Sequence, residues 1–559
     1  MSQIVGDRTS KAIDDCLNLL KRKGLPELPI DAAPPIADFA LICFPAAKAL
    51  GRKPEEIAEE IATEINNLET VESTNVVKGY CNVSLKWKEF GCDLLDESIQ
   101  EEYSKGKIPK ENILIEHTSA NATGPFHMGR ARNPIIGDSI ARLLTHYGYK
   151  VKTEYYVNDT GRQAATLAYG LKNFRPEVNG KKDHALVDCY RKASDELGKN
   201  KNVKDTIYKN MELIESGDKK TLKMVRRAAE EMMEGMKQSL KRLKAEADTY
   251  FHESDLIASG IVDEVINDLK KVKLCGEEDG AYYLDLEDEG VAGRNQKFFF
   301  TRENGLSLYT TRDIAYHLDK FKRCDNALNI LGEDHKLQGK LLGISLRELG
   351  SKQPKNLFYS FVNLPGGKMS TRAGRVVYLD DIMEEIVGLS KEKLRDTKIE
   401  KGRKDELAEE IGIGALRYNI LKVQAEKGFT FNFDEALNLQ GDSAPFAMYS
   451  YARSSSIIRK YGADIPKPKL ESEITNSELN LMRTIAKWPK VIEKAAQNYT
   501  IHNIPNYVHK LSSDFNQFYR DCPVIDSENE DFRINIVHCT QKTLKEGLSI
   551  LGIKAPERM

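Results

Sequence analysis

Two short segments, far apart in the chain, hold residue types suited to phosphate chemistry: Pro125-Phe126-His127-Met128-Gly129-Arg130 and Gly366-Gly367-Lys368-Met369-Ser370-Thr371-Arg372. In the first, His127 can donate to phosphate oxygens without a permanent charge. Arg130 adds a forked cation, and Gly129 leaves room for a flat base to lie against the backbone. In the second, Lys368, Ser370 and Arg372 sit in a glycine-rich turn able to close over the other side of the same phosphates. Together they are equipment for nucleotide chemistry at an α-phosphate. Neither is a Walker A loop: Val362 stands where that pattern needs its first Gly, and Met369 follows the Lys. Gly412-Ile413-Gly414 is no dinucleotide fingerprint, because Arg417 replaces its third Gly.

The flanking residues predict the elements that must position these groups. The apolar run Ile113-Leu114-Ile115 reads as a strand, Ile135 to Leu144 as a helix, and Val151 to Val157 as a second strand. That is a βαβ unit, which implies a parallel sheet. The His127 segment falls at its strand-to-helix turn, where free N–H groups and the helix dipole favour an anion. Strand-like runs at Lys297-Phe298-Phe299-Phe300, Ala327 to Leu331 and Leu357 to Val362 are expected to complete the sheet. Between them, residues 180–245 are charged and helical, with Leu222, Val225, Ala229, Met232, Met236, Leu240 and Leu243 on one apolar stripe. The methionines there read as core filler.

Near the start, Ile13, Cys16, Leu17, Leu19 and Leu20 share a helical face, and Ile57, Ile61 and Ile65 follow Pro54 at intervals of four. Val76, Val77, Tyr80, Val83 and Leu85 predict strands around a turn at Gly79. After about residue 405 the pattern is helical to the end. The expected divisions are therefore 1–105 (α+β), 106–405 (α/β with a helical insertion at about 175–245) and 406–559 (all α). No internal repeat or low-complexity segment interrupts them.

The chain has 559 residues, 40% hydrophobic and 30% charged, enough for more than one core. No run of about 18 apolar residues predicts a membrane span, and the first residues lack a secretory pattern. Nine scattered cysteines without a C-x-x-C pair argue against a disulfide framework or a structural zinc site. No metal site is expected, and a cytoplasmic setting is. The net charge of −2 disfavours a general DNA binder but leaves a local RNA-binding patch open.

The two segments, in this order, resemble the paired signatures of class I aminoacyl-tRNA synthetases. Ile115-Glu116-His117-Thr118-Ser119-Ala120-Asn121, Glu154 to Asp159, Tyr309-Thr310-Thr311-Arg312-Asp313, Gly441-Asp442-Ser443-Ala444-Pro445, Tyr451-Ala452-Arg453 and the terminal Leu551 to Met559 narrow the resemblance to arginyl-tRNA synthetase. It spans nearly the whole chain and is weakest at 175–245. It implies a Rossmann-like parallel-sheet catalytic domain, an N-terminal α+β domain that meets the tRNA elbow, and a C-terminal helical bundle that reads the anticodon. The implied reaction is ATP-dependent ligation of L-arginine to tRNA(Arg) through an arginyl-adenylate, with Mg2+ accompanying ATP, by a monomer whose first step needs bound tRNA.

The same resemblance assigns residues. His127, Arg130, Lys368 and Arg372 are expected to be catalytic, and His127, Gly129, Arg130, Lys368, Met369 and Ser370 to bind ATP. Glu116, Asn121, Tyr309, Asp313 and His335 are expected around arginine, since a guanidinium wants carboxylates and planar acceptors. Without the resemblance, Glu116 reads as a strand-end acid, Asp313 as a helix N-terminal acid, and Asp334-His335 as a polar loop pair. Tyr80 and Asn82 are expected at the tRNA elbow, against a plain reading as core tyrosine and turn asparagine. Tyr449, Tyr451, Arg453 and Arg459 are expected at RNA bases, although some of the rings must be core.

Two departures stand out: Arg130 replaces the usual fourth residue, His, and Thr371 replaces the usual second Lys. They motivate one alternative, a non-catalytic tRNA-binding paralogue, which the retained Lys368, Asp313 and Asn121 oppose. A class I synthetase for another amino acid is a second. The acidic pair Glu116 and Asp313 speaks against an acidic substrate, and the missing Cys/His cluster against cysteine. A small nucleotidyltransferase would have no use for the long helical C-terminal part.

Overall fold

The structure, a computed structural model, describes residues 8–22, 24–26, 28–31, 37–106, 111–291, 296–364, 377–397 and 399–559. Its N-terminal part pairs β1 (Ile30–Asp31), β2 (Phe39–Ile42), β3 (Val71–Val77) and β4 (Tyr80–Leu85) in an antiparallel sheet of order β1-β2-β4-β3. Lys78 and Gly79, at φ 47° and 77°, form the two-residue hairpin, whose twist suits a turn with both φ positive. The helix Pro54–Ile65 lays Ile57, Ile61 and Ile65 on this unit, each fully buried. Each such side chain contributes about 1.5–3 kcal/mol of apolar transfer.

The central part is built on β5 (Asn112–Glu116), β6 (Lys150–Val157) and β7 (Thr249–His252), followed later by β11 (Asn326–Gly332) and β12 (Lys355–Tyr359). These five strands are all parallel, in the order β12-β11-β5-β6-β7. The chain therefore builds outward from β5 in one direction, then returns to its other side. The helix Arg132–Tyr147 makes the first crossover, as its periodicity predicts.

One expected sheet strand is corrected. Lys297–Phe299 is β10 of a separate antiparallel sheet with β8 (Cys275–Glu278) and β9 (Ala281–Asp285). Phe298 and Phe300 are buried in a second core with Ile314, Tyr316 and Leu342. A short apolar run shows that a strand is present but not which sheet it joins. The insertion is three long helices, Lys182–Lys199, Lys201–Glu215 and Lys219–Leu243, and every residue of the expected apolar stripe is buried.

From Lys401 onward the chain is helical, apart from β14 (Phe429–Thr430), which pairs in parallel with β13 (Val362–Asn363). Two buried arginines lock this part to the sheet. Arg132 opens the first crossover helix and donates to the carbonyls of Ser360, Val423, Gln424 and Lys427. Arg417 pairs with Asp138 of the same helix and donates to the carbonyls of Leu243 (2.8 Å) and Leu551 (2.7 Å). Gly552 at φ 67° lies directly on this guanidinium, where a Cβ would collide with it. At the other end, Asp38 accepts from Trp87 Nε1 (3.0 Å) and Arg483 Nε (2.6 Å), which ties the N-terminal sheet to the helices. Among the described residues, no helix is long and apolar enough to cross a membrane.

Arg417 joins three parts of the chain, and removing it strands a buried carboxylate and several carbonyls. Arg417→Ala is expected to lower unfolding stability by about 3–5 kcal/mol in urea titration. An unchanged midpoint would show that the joint does not depend on this ion pair.

Candidate active site

Strand order locates the site before any side chain is considered. In an open parallel sheet, ligands bind outside the carboxyl ends of the strands where the order reverses. Here that is the gap between β5 and β11. The loop leaving β5 carries residues 117–127 and ends in the short turn Met128–Arg130 at the head of the helix Arg132–Tyr147. The loop leaving β11 carries Glu333, Asp334 and His335. Thr118 and Ser119 hold positive φ values of 72° and 38° in the first loop, a sparsely populated conformation for such residues. It is pinned by Thr118 N to Asn133 Oδ1 (2.6 Å), Ser119 Oγ to Glu116 (3.0 Å) and Tyr156 N to Ser119 Oγ (3.1 Å).

The first signature segment meets, through the main chain, the residues that follow the second. Leu379 N donates to Phe126 O (2.8 Å) and Met128 N to Val377 O (3.3 Å), so residues 126–128 run antiparallel to 377–379. The rings of His127 and Tyr378 lie 5.6 Å apart. Lys368, Met369, Ser370 and Arg372 lie outside the described residues, but the segment that leaves them is fixed beside His127. Its root is held again at Asp380, which accepts from Lys181 Nζ (2.6 Å) and Ser239 Oγ (2.8 Å) and lies 2.7 Å from His184 Nε2. Burial works to raise the Asp380 carboxyl, but these hydrogen bonds outweigh it and hold it at about 2. Asp183, His184 and Asp380 converge closely enough for a metal ion. The Lys181 ammonium already bridges the two carboxylates, at 3.0 and 2.6 Å.

A cavity of about 330 Å³ opens over this junction. Asn121, His127 and Arg130 line it, as do Gln163, Arg191 and Tyr378, and among its described lining residues there is no carboxylate. Partial burial, then the charges of Arg130 and Arg191, lower the His127 imidazole below its ordinary value, so it is neutral near pH 7. Asn121 Nδ2 donates to Gln163 (2.7 Å). Gly129 is buried within its turn, which leaves His127 and Arg130 as the exposed groups of that segment.

The expected arginine pocket is only partly as anticipated. Glu116 is nearly buried, with Oε2 2.7 Å from the fully buried Lys320 ammonium and Oε1 accepting from Ser119. Its charge is thus answered inside the protein rather than presented to a ligand. Asp313 is the more open acid, with its side chain 30% exposed. Burial pushes its carboxyl upward, but His317 (3.2 Å), Lys320 and Gln338 (3.4 Å) prevail and keep it below the ordinary value. Tyr309 is 58% exposed and lies one turn before Asp313 on the same helical face. His335 is exposed at the end of β11, 3.7 Å from Asp334. Lys320 and His317 were missed in the sequence, although Asp313, His317 and Lys320 have the 4-and-3 spacing of one helical face. Arg191 gave no signal, because it sits among many charged residues of the insertion.

The expected RNA contacts divide. Tyr449, Arg453 and Arg459 line a groove of about 640 Å³ with Tyr519 and the chain's last residues. The Arg453 guanidinium lies 4.7 Å from the Tyr449 ring and 4.5 Å from that of Tyr519. Tyr451 is corrected: it is 3% exposed and belongs to the core, because two residues along a helix turn the side chain to the opposite face. Asn82 is likewise 3% exposed, with its amide bound to Asn75 O (3.1 Å), so it shapes the strand pair rather than offering an open contact. Tyr80 is half-buried and packs edge-on against the exposed Phe44 at 5.4 Å.

Comparison with known proteins agrees along the chain. Residues 94–433 match the family described as tRNA synthetases class I (R), catalytic domain. Residues 7–85 match the arginyl tRNA synthetase N terminal domain, and 447–559 the DALR anticodon binding domain. The chain is 37% identical to the arginine–tRNA ligase of Methanocaldococcus jannaschii over 94% of each chain. It is 35% identical to that of Methanothermobacter thermautotrophicus over 100% of each. Among solved structures, Thermus thermophilus arginyl-tRNA synthetase shares the fold over 100% of both chains, with a TM-score of 0.85 at 24% identity.

Two measurements test this arrangement. His117 is fully buried, its Nε2 has no partner among the described residues, and burial lowers its pKa from 6.5 to about 4. The unfolded chain therefore takes up this proton first. The stabilisation is complete above pH 6.5 and is lost as pH falls to about 4. It amounts to about 3 kcal/mol, which His117→Asn should remove from the pH dependence of urea unfolding. Equal pH slopes in both proteins would contradict it. In the groove, Tyr449→Ala should weaken tRNA binding by about 1–3 kcal/mol at unchanged Tm, whereas Tyr451→Ala should lower Tm. The reverse pattern would mean the two rings have been misassigned.

Proposed function

The chain belongs to the arginyl-tRNA synthetase family of class I, and on that premise we propose that it joins L-arginine to tRNA(Arg), using ATP, through an arginyl-adenylate. The observation that carries this reading is the pairing of residues 126–128 with 377–379 at the sheet's reversal point, beneath a cavity with two guanidinium groups and, among its described lining residues, no carboxylate. Such a cavity suits a polyanion. MgATP enters with its phosphates toward neutral His127 and cationic Arg130, and Lys368, Ser370 and Arg372 are assigned to the same phosphates. The arginine carboxylate then attacks the α-phosphate in line and pyrophosphate leaves. The terminal ribose hydroxyl of the tRNA next takes the arginyl group. The protein forms no covalent intermediate: it supplies orientation, fixed positive charge and exclusion of water.

Selectivity for arginine falls chiefly to Asp313. It is the ionised carboxylate left open once Glu116 is paired with Lys320, and Tyr309 is placed to cover a guanidinium held there. Glu116 acts through Lys320 as a brace for the helix that presents Asp313. Asn121 and His335 are assigned to the α-amino and α-carboxylate ends of the substrate. The divisions 1–105, 106–405 and 406–559 serve tRNA-elbow binding, catalysis and anticodon reading. The groove of Tyr449, Arg453 and Arg459 takes unpaired bases, and a monomer acting in the cytoplasm suffices. Retention of Lys368, Asp313 and Asn121 in the sequence favours an active enzyme over a non-catalytic paralogue.

Charging of tRNA(Arg) with labelled arginine and ATP tests the reaction, and Asp313→Asn tests the pocket. The variant should raise the arginine KM by roughly 10²-fold, equivalent to about 3 kcal/mol for a broken desolvated pair. ATP KM should hold. An unchanged arginine KM in a folded variant would remove Asp313 from the pocket.

A further inference from the structure

The insertion helix Lys182–Lys199 lies outside every signature, yet its Arg191 lines the cavity beside His127 and Arg130. Arg191 Nη2 donates to the Tyr378 hydroxyl at 2.7 Å. Tyr378 is the residue whose main chain is paired with His127. The guanidinium is therefore indexed to the same backbone junction that positions the first signature. Its acidic neighbour, Asp188, sits at 3.0 Å from Nη1 but is 64% exposed, so the pair is weak and screened by solvent. Among the described residues, no acceptor meets its Nε–H, and a guanidinium has five donors to place.

The sequence leaves a vacancy in charge: Thr371 stands where the resemblance expects a second Lys. We propose that Arg191 is a further catalytic residue, a cation delivered by the insertion that binds the β- and γ-phosphates of ATP and neutralises pyrophosphate as it departs. In that step an oxygen of the arginine carboxylate forms a bond to the α-phosphorus. The bond from that phosphorus to the bridging oxygen breaks, and its electron pair leaves on pyrophosphate. Arg191 keeps its proton throughout and supplies hydrogen bonds and charge. A fixed donor aimed at charge that develops in the transition state accelerates the step more than it tightens the ground state. The position of Arg191 also agrees with the lowered His127 imidazole, to which its charge contributes.

The inference rests on the reading of the chain as an arginine-activating enzyme, and its test separates the two. Single-turnover adenylate formation would be measured with saturating arginine and tRNA, alongside transfer of arginine from preformed adenylate to tRNA. Arg191→Ala should slow adenylate formation by about 10²–10³-fold, leave arginine affinity unchanged and spare the transfer step. Arg191→Lys should recover part of the rate. Asp188→Ala, which removes only the exposed partner, should match wild type. Tyr378→Phe, which unlatches the guanidinium but keeps its charge, should lose less than Arg191→Ala. If wild type forms no arginyl-adenylate, the functional reading falls and the inference with it. If wild type is active and Arg191→Ala stays within threefold of it, only the inference falls. A Tyr378→Phe loss as deep as that of Arg191→Ala would reduce Arg191 to a positioning residue.

Discussion

The molecule depends on two main-chain hydrogen bonds. Leu379 N to Phe126 O and Met128 N to Val377 O join segments far apart in the catalytic part, and the cavity lined by His127, Arg130 and Arg191 opens over that join. A side-chain contact could be replaced by another of similar size. A backbone pairing fixes direction and register together. It sets residues 377–379 beside the turn that opens the first crossover helix. Around it, Arg132 gathers four carbonyls of the segments leading toward and away from the helical part, and Asp380 anchors the far root on the insertion.

Charge is distributed to match. Acids in and beside the sheet are answered by bases of the helix Tyr309–Arg323: Glu116 by Lys320, Glu154 by Arg323, and Glu253 by Arg312. Such pairs add little net stability against apolar replacements of the same shape, but each half is costly to leave alone. Their effect is to hold β5, β6 and the helix Tyr309–Arg323 in one relative position. What remains open is asymmetric. The cavity over the join holds Arg130 and Arg191, while the helix Tyr309–Arg323 leaves Asp313 partly exposed. The cations of the first suit phosphates, and the carboxylate of the second suits a guanidinium.

Much of this was legible in the sequence. The βαβ unit, the insertion stripe and the helical C-terminal part follow from periodicity, and the strand-to-helix turn at His127 follows from the residues around it. What stayed hidden was long-range or rotational. Lys297–Phe299 reads as a strand, but its sheet is chosen by the hairpin at Asp279-Gly280. Tyr449 and Tyr451 differ by two positions, which on a helix separates a groove wall from the core. Glu116 shows as an acid at a strand end, while its Lys320 partner comes from a helix about two hundred residues later. Arg191 is one cation among many on its helix, and only the fold brings it to Tyr378.

The most direct test of the backbone join is amide hydrogen exchange with and without a non-hydrolysable arginyl-adenylate analogue and pyrophosphate. If residues 126–128 and 377–379 form one phosphate site, both segments should gain protection together and at the same ligand concentration, while the Tyr449 groove stays unchanged. Protection confined to one segment, or appearing only in the helical C-terminal part, would contradict the join as the centre of the site.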